Sequence, residues 1–250
     1  MTPRTIFFLS DFGTRDVYVG VVESVIARIA PEARVIHLGH GIPPQDLRNA
    51  SWQLWAAAPH LPEGSVVLAV IDPGVGSARH AVVVETDRML YVAPDNGLLE
   101  ATLARETVKT ARALTNPAYR LDEVSSTFHG RDVFGPAAAH LSKGERPERF
   151  GDEVESLATL GVLPRDAGYG EIWTFDRFGN ALTTMLAPSA APDAVTVAGR
   201  RVPWAETYAS VQPGEALALR GSSGLIELSV REGSAREALG LREGAEVRGV

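Results

Sequence analysis

The fold is decided by residues 66–79, VVLAVIDPGVGSAR, in which an apolar run ends abruptly in a polar, glycine-rich turn. The run Val66–Ile71 is uninterrupted, a pattern typical of a strand buried on both faces of a sheet. Asp72 follows it directly, and Arg79 comes later in the same turn. Ligands of open α/β sheets bind beyond the carboxyl ends of the strands, so this turn is the first candidate for a functional site.

Strand and helix patterns alternate around this run up to about residue 145. The alternation predicts an α/β domain with a mostly parallel central sheet. Asp46 is expected to cap one of the helices, and Pro59 is expected to end it. The strand patterns lie at 6–9, 34–38, 66–71, 81–84 and 89–92, and the helix patterns lie at 18–29, 46–58, 98–103 and 132–141.

After residue 170 the pattern changes to short, closely spaced strands, which predicts a small β-barrel or sandwich. The span 143–170 carries prolines and glycines and is interpreted as a linker. We therefore predict an N-terminal α/β domain over residues 1–160 and a C-terminal β domain over residues 161–250.

Composition excludes several classes of protein. The 250 residues include no cysteine, which excludes disulfides, cysteine-ligated metal sites and a thiol nucleophile. The formal charge is −7 without a basic run, so neither nucleic acid nor a membrane is expected as a partner. The stretch MTPRTIFFLSDFG has an apolar run too short for a signal-peptide core or a spanning helix, and we expect a cytoplasmic protein.

Three predicted strands run into an acid, namely Asp11, Asp72 and Asp95. If these strands are parallel neighbours, the three carboxylates converge on one edge of the sheet. A single acid at such a position is more often a turn or cap residue. Three acids, each within a polar, glycine-containing cluster, favour a site.

The clusters do not fit several common catalytic motifs. The 72–79 turn has Arg79 where a dinucleotide fingerprint has its third glycine, and neither a P-loop nor a Gly-x-Ser-x-Gly elbow is present. His37 and His40 have the spacing of metal ligands, but no third ligand is near in sequence and a loop role is favoured. His129 differs from the other histidines because it directly precedes Gly-Arg-Asp at a predicted helix start. Paired carboxylates for glycoside chemistry remain open at this point.

Six motifs occur in an order that resembles a known family. They are SDFGT (10–14), IPPQD (42–46), DPGVGSAR (72–79), PDNGLL (94–99), TFHGRD (127–132) and RFGN (177–180). Together they closely resemble the S-adenosyl-L-methionine (SAM) hydroxide adenosyltransferases, or SAM hydrolases, which are related to the SAM-dependent fluorinase and chlorinase. The resemblance covers residues 6–235.

The resemblance implies an N-terminal α/β domain and a C-terminal β-barrel in a homotrimer, with SAM bound between neighbouring subunits. It implies conversion of SAM and water to adenosine and L-methionine, with SAM as substrate and with neither a cofactor nor a metal. Asp72, Arg79 and His129 match the family's water-activating residues. A carboxylate can orient water, a histidine can relay its proton, and an arginine can fix the carboxylate.

The resemblance also assigns substrate-binding residues. Asp11 corresponds to the acid that holds the ribose hydroxyls, and Asn180 to the amide that reads adenine. Asp16 and Asp176 match positions near the methionine ammonium. Ser222 and Ser223 match the loop near the methionine carboxylate, and Phe128 and Tyr208 match the aromatic walls of the site. The remaining matched positions are Gln45, Asn96, Phe178 and Val230.

Departures from the halogenases favour hydrolysis. The halogenases have a tyrosine where Asp72 stands and lack the equivalent of His129, and the fluorinase has a hydroxyl residue where Val75 stands. A carboxylate at the point of attack would repel a halide. A halogenase, a SAM-binding sensor without turnover, and a carbohydrate or phosphate hydrolase are the alternatives.

Overall fold

The computed structural model of the protein describes residues 3–166 and 168–249. It divides into two compact units, Met1–Gly161 and Val162–Val250. Among the described residues, no helix is both long enough and apolar enough to cross a membrane.

In the described part of the first unit a six-stranded sheet is flanked by helices. The strands are β1 (Ile6–Ser10), β2 (Val35–Gly39), β3 (Val66–Val70), β4 (Ala81–Thr86), β5 (Leu90–Pro94) and β6 (Val108–Ala113). The helices are α1 (Tyr18–Ile29), α2 (Leu47–Ala57), α3 (Glu100–Leu103) and α4 (Gly135–Ser142).

The sheet has the strand order β2-β1-β3-β5-β4-β6. The pairings from β2 to β5 are parallel, and the β5–β4 and β4–β6 pairings are antiparallel. The predicted mostly parallel sheet is therefore confirmed. Because β1, β3 and β5 are parallel neighbours, their carboxyl ends lie along one edge.

Strand β3 is buried on both faces, as its continuous apolar run predicts. Val66, Leu68 and Val70 belong to a core cluster that contains residues of α1 and α4. Val67 and Ala69 belong to a second cluster that contains residues of α2. Burying each of these valine and leucine side chains contributes about 1.5–3 kcal/mol, so β3 is a stable support for the residues after it.

One helix boundary follows from local sequence as expected, and another differs. Asp46 caps α2 by accepting a 2.9 Å hydrogen bond from the backbone N of Asn49, as expected. The helix expected to begin at Asp132 has a π-helical turn, Gly130–Phe134, before α4. Asp132 lies inside that turn and is fully buried.

The interpretation of 143–170 as a linker is wrong for its middle part. The backbone N of Val154 donates to the carbonyl of Ala111 in β6, which extends the edge of the sheet. The Glu100 carboxylate then accepts hydrogen bonds of 2.7 Å from the backbone N of Leu160 and of Gly161. Long-range hydrogen bonds therefore hold this segment in the first unit despite its linker-like composition.

The second unit contains, in its described residues, a seven-stranded sheet in the order β10-β9-β13-β7-β8-β12-β11. The strands are β7 (Tyr169–Phe175), β8 (Ala181–Leu186), β9 (Ala194–Val197), β10 (Arg200–Pro203), β11 (Ala216–Arg220), β12 (Leu225–Val230) and β13 (Glu246–Gly249), and a short helix α5 (Ala235–Ala238) follows β12. All of its pairings are antiparallel. Trp204 forms a bridge with Ala218 and brings the two edge strands together, so the sheet is barrel-like and nearly closed.

Candidate active site

The turn after β3 requires glycine at one point. Gly76 has φ +76°, and a Cβ there would lie 2.4 Å from the carbonyl oxygen of Ser126. Any larger residue would therefore be strained and would also displace the chain around Ser126. This close contact places the turn of residues 72–79 beside the segment that carries His129.

Arg79 contacts both of the other residues assigned to catalysis. Its Nε donates a 2.9 Å hydrogen bond to Oδ1 of Asp72, and its Nη2 donates to Oδ2 of the same carboxylate. The same Nη2 lies 2.8 Å from Nδ1 of His129. The side chains of Asp72 and Arg79 are 7% and 11% exposed, and the guanidinium lies over the ring of Phe134. The bidentate pair restricts both groups to one geometry.

The surroundings of His129 favour its neutral form. Burial lowers its pKa, and the positive charge of Arg79 lowers it further, against opposing contributions from Asp72 and Asp132. Arg79 has only donors to offer, so Nδ1 of His129 must be the acceptor in their contact. The proton of the neutral ring is then on Nε2, which is a donor.

Asp132 organises the segment that carries His129. Its Oδ2 accepts a 2.8 Å hydrogen bond from the backbone N of Ser125 and a 2.9 Å hydrogen bond from Arg131. Its backbone oxygen accepts from the N of Leu121. This fully buried acid therefore closes the 121–132 segment into one conformation.

Asp11 lies after β1 and is coupled to Gln45. Its Oδ2 accepts a 2.8 Å hydrogen bond from the backbone N of Gln45. Gln45 is exposed and has φ +66°, a conformation that is costly for a residue with a Cβ. The hydrogen bond to Asp11 thus holds Gln45 in a strained conformation, as occurs at functional sites.

Exposed and half-buried groups follow at the start of α1. Asp16 is exposed. Phe128 packs edge-on against Phe12 at 5.7 Å and against Tyr18 at 5.2 Å between ring centroids. Val17 and Tyr18 are 73% and 46% exposed, so this aromatic cluster borders an apolar surface.

Two residues at the end of β5 have their polar atoms engaged within the chain. Asn96 donates through Nδ2 to the carbonyl of Ile71 at 2.9 Å, and its Oδ1 accepts from the N of Leu98. Asp95 accepts from the backbone N of Ala158 at 2.7 Å. Asn96 therefore fastens the end of β3 next to Asp72, whereas Oδ1 of Asp95 binds the returning segment.

In the second unit, the β7–β8 hairpin brings three assigned residues together. Oδ1 of Asp176 accepts from the backbone N of Phe178 and of Asn180, and Oδ2 accepts from Nδ2 of Asn180, each at 2.9 Å. Asn180 is buried, whereas the ring of Phe178 is 74% exposed. The Asn180 amide nitrogen is thus used inside the hairpin.

Tyr208 is fixed by a buried acid that sequence reasoning missed. Its hydroxyl donates a 2.5 Å hydrogen bond to Oε1 of Glu227, which also accepts from Ser229 at 2.8 Å. Burial raises the pKa of Tyr208, and the Glu227 hydrogen bond, the Glu227 charge and the Asp176 charge add to the increase. An acid within the mostly apolar strand LIELSV, residues 225–230, was the available signal.

The other assigned residues of this unit lie on or beside β12. Ser222 is exposed and Ser223 half-buried in the loop between β11 and β12. Val230 is buried at the end of β12. Within residues 3–166 and 168–249 there is no group of three or more histidine, aspartate or glutamate residues that could hold a metal ion.

Family models match both units. The model of the SAM hydroxide adenosyltransferase N-terminal domain matches residues 6–151, and that of the C-terminal domain matches residues 170–248. The chain belongs to the SAM hydroxide adenosyltransferase family. The resemblance noted from the sequence motifs is therefore confirmed.

Curated proteins that are similar to this chain have names that describe an enzyme activity. A protein of Thermus thermophilus named (R)-S-adenosyl-L-methionine hydrolase is 50% identical over 98% of this chain and 99% of its own length. A protein of Salinispora arenicola with the same name is 40% identical over 97% of this chain and 96% of its own. A protein of Nocardia brasiliensis named fluorinase is 22% identical, with coverage of 97% and 95%.

Two solved structures share the fold of this SAM hydroxide adenosyltransferase. A conserved hypothetical protein from Thermus thermophilus has a TM-score of 0.88 at 49% identity, with 99% of this chain and 100% of that chain covered. An uncharacterized conserved protein from Thermotoga maritima has a TM-score of 0.89 at 36% identity, with 97% and 99% covered.

Proposed function

We propose that the protein is an enzyme that hydrolyses SAM to adenosine and L-methionine. The observation that carries this proposal is the hydrogen-bonded set of Asp72, Arg79 and His129 in a chain 50% identical to a named SAM hydrolase. Water oxygen bonds to C5′ of the ribose while the C5′–sulfur bond breaks. The bonding electron pair returns to sulfur to give the thioether of methionine, and one proton of the water is released.

The sulfonium is already a good leaving group, so the enzyme has to orient the water and accept its proton. Asp72 suits both tasks, because each of its oxygens accepts from Arg79 and retains a further lone pair for water. The acceptor nitrogen of His129 is occupied by Arg79, and its Nε2–H is a donor. We therefore assign proton acceptance to Asp72 and a hydrogen bond to the attacking or departing group to His129.

Each binding residue is assigned to the part of the substrate that its chemical group suits. Asp11 is assigned to the ribose hydroxyls, and Asp16 and Asp176 to the methionine ammonium, which carboxylates attract. Asn180 uses its Nδ2 on Asp176 and so offers its carbonyl oxygen to the adenine amino group. The hydroxyl groups of Ser222 and Ser223 are assigned to the methionine carboxylate. Asn96 would support Asp72. The substrate would be enclosed by Gln45, Phe128, Phe178, Tyr208 and Val230.

We further propose a homotrimer in which each site combines the N-terminal unit of one subunit with the C-terminal unit of the next. In the first unit Val17 and Tyr18 are exposed beside the assigned residues, and in the second unit Phe178 and Tyr208 are exposed. Exposed apolar groups clustered beside binding residues are typical of surfaces that become covered.

Co-expression of two inactive variants tests the shared site. Asp72→Asn and Asp176→Ala are each expected to abolish turnover. Sites shared in a ring of three would restore about a quarter of the wild-type activity in random mixtures, because one site of each mixed trimer pairs two intact units. No restoration in mixed particles, or a monomer by light scattering, would contradict this assembly.

The activity is tested with SAM in halide-free buffer made with ¹⁸O-water. Mass spectrometry should find adenosine and methionine in equal amounts, with the label on the 5′ oxygen of adenosine. Asp72→Asn is the matched control. A 5′-halo product on addition of chloride or fluoride would indicate a halogenase, and tight SAM binding without product would indicate a sensor.

A further inference from the structure

A row of side chains, three joined by hydrogen bonds and the fourth a nearby carboxylate, runs from the loop of Asp11 to the surface, and the proposed mechanism does not use it. Ser10 Oγ lies 2.7 Å from His40 Nδ1, and His40 Nε2 lies 2.7 Å from His37 Nδ1. His37 Nε2 lies 3.4 Å from Oε1 of Glu23 in α1. We call Ser10, His40, His37 and Glu23 the histidine chain.

The histidine chain is buried at one end and open to water at the other. Ser10 is fully buried and His40 is 7% exposed, whereas the side chains of His37 and Glu23 are 39% and 43% exposed. The ring of Phe8 packs edge-on against His40 at 4.7 Å between centroids. Two buried polar side chains joined in this way are costly to separate, because each would lose its partner away from water.

The acid at the exposed end determines the direction of the hydrogen bonds. A carboxylate can only accept, so His37 presents Nε2–H to Glu23 and, when neutral, an unprotonated Nδ1 to His40. His40 therefore donates through Nε2–H and accepts from the hydroxyl of Ser10 through Nδ1. The Ser10 oxygen in turn accepts from the backbone N of Phe12 at 3.3 Å.

The histidine chain holds the loop of residues 11–13 at two points. Ser10 binds the backbone N of Phe12, and the backbone oxygen of His40 accepts from the N of Gly13 at 2.7 Å. Asp11, assigned above to the ribose hydroxyls, lies between Ser10 and Phe12 and directly precedes both contacts. We infer that Ser10, His40 and His37 are positioning residues that hold the Asp11 loop in its substrate-binding conformation.

His40 is neutral near neutral pH, because burial and the neighbouring His37 lower its pKa to about 4. A neutral ring has one donor nitrogen and one acceptor nitrogen, which is what its two hydrogen bonds, to Ser10 and to His37, require.

This inference rests on the proposed function, and steady-state kinetics of SAM hydrolysis test it. Ser10→Ala and His37→Phe should raise KM about tenfold, with kcat within about twofold, because one buried hydrogen bond that orients a binding group is lost. Glu23→Gln, whose amide oxygen still accepts, should retain more of the wild-type KM than Glu23→Leu.

His140→Phe is the matched control, because His140 is a half-buried histidine that packs against the ring of Tyr119, away from the histidine chain. It should leave KM unchanged. A wild-type enzyme that hydrolyses SAM, together with an unchanged KM in Ser10→Ala or a decrease in its kcat as large as the increase in KM, would overturn the inference alone. A wild-type protein that neither hydrolyses SAM nor binds adenosine in calorimetry would overturn the proposed function, and the inference with it.

Discussion

Two aspartate–arginine pairs lie near His129, and they have the same chemical groups in different surroundings. Arg79 and Asp72 come from the two ends of one turn, and Arg79 also contacts His129. Arg131 and Asp132 are adjacent in sequence, and Asp132 is fully buried with its carboxylate bound to the backbone N of Ser125.

The difference shows that the role of a carboxylate depends on what else it accepts. Asp132 has both oxygens engaged by the protein, one of them by the main chain, so its charge stabilises a loop. The hydrogen bonds to Asp72 come from the side chain of Arg79, and the carboxylate can still bind water. Catalysis is therefore assigned to the first pair and loop stability to the second.

The largest expected effect is on the rate of the Asp72→Asn variant. An amide cannot accept the proton of the attacking water, so kcat should fall about 10³-fold, within the range of lost general-base catalysis. The measurement is the initial rate of adenosine formation, with circular dichroism to check folding. If Asp132→Asn slowed the folded enzyme as much as Asp72→Asn, the assignment of separate roles would be wrong.

For the free energy of unfolding, the larger loss is expected in Asp132→Asn and the smaller in Asp72→Asn. Asp132→Asn should lower the free energy of unfolding by up to about 3 kcal/mol, because an amide has one acceptor oxygen for the backbone N of Ser125 and for Arg131, and its NH2 group would face a donor in a fully buried place. Asp72→Asn should cost less, since both of its hydrogen bonds come from the side chain of Arg79, which can rearrange. Equilibrium unfolding in urea compares the two, and a larger loss in Asp72→Asn would contradict the comparison.

Acid should destabilise the protein through His40. The pKa of His40 is about 4 when folded and near 6.5 when unfolded, so the unfolded state binds more protons between these values. Stability is therefore present above pH 6.5 and is lost as the pH falls, by about 2 kcal/mol between pH 7 and pH 5. Urea unfolding at both pH values measures this, and His40→Phe should reduce the difference.

The smallest expected effect is a pair of opposite pKa changes at His129. Removing the positive charge in Arg79→Met should raise its pKa, and removing the negative charge in Asp132→Asn should lower it. NMR titration of the His129 ring measures both. Changes in the same direction would show that the electrostatic surroundings of His129 differ from those described.

Local patterns were sufficient for most of the fold. The apolar run at 66–71 indicated a strand buried on both faces, and Asp46 capped its helix as predicted, because both features depend on residues within one element. The linker interpretation was wrong for residues 151–161 because hydrogen bonds to Ala111 and Glu100, distant in sequence, hold that segment. Composition contains no information about such partners.

In the candidate site, too, some features were predicted from local motifs and others depend on contacts between distant segments. The motifs alone identified Asp72, Arg79 and His129 through the family resemblance, and the site assignments derived from it stay predictions for the experiments above. Only the tertiary structure decided that Asp95 binds a backbone N–H, that Glu227 fixes Tyr208, and that His40 joins Ser10 to His37. Residue type determines which hydrogen bonds a side chain is able to make, but the partner it meets depends on which distant segments the fold brings within about 3 Å.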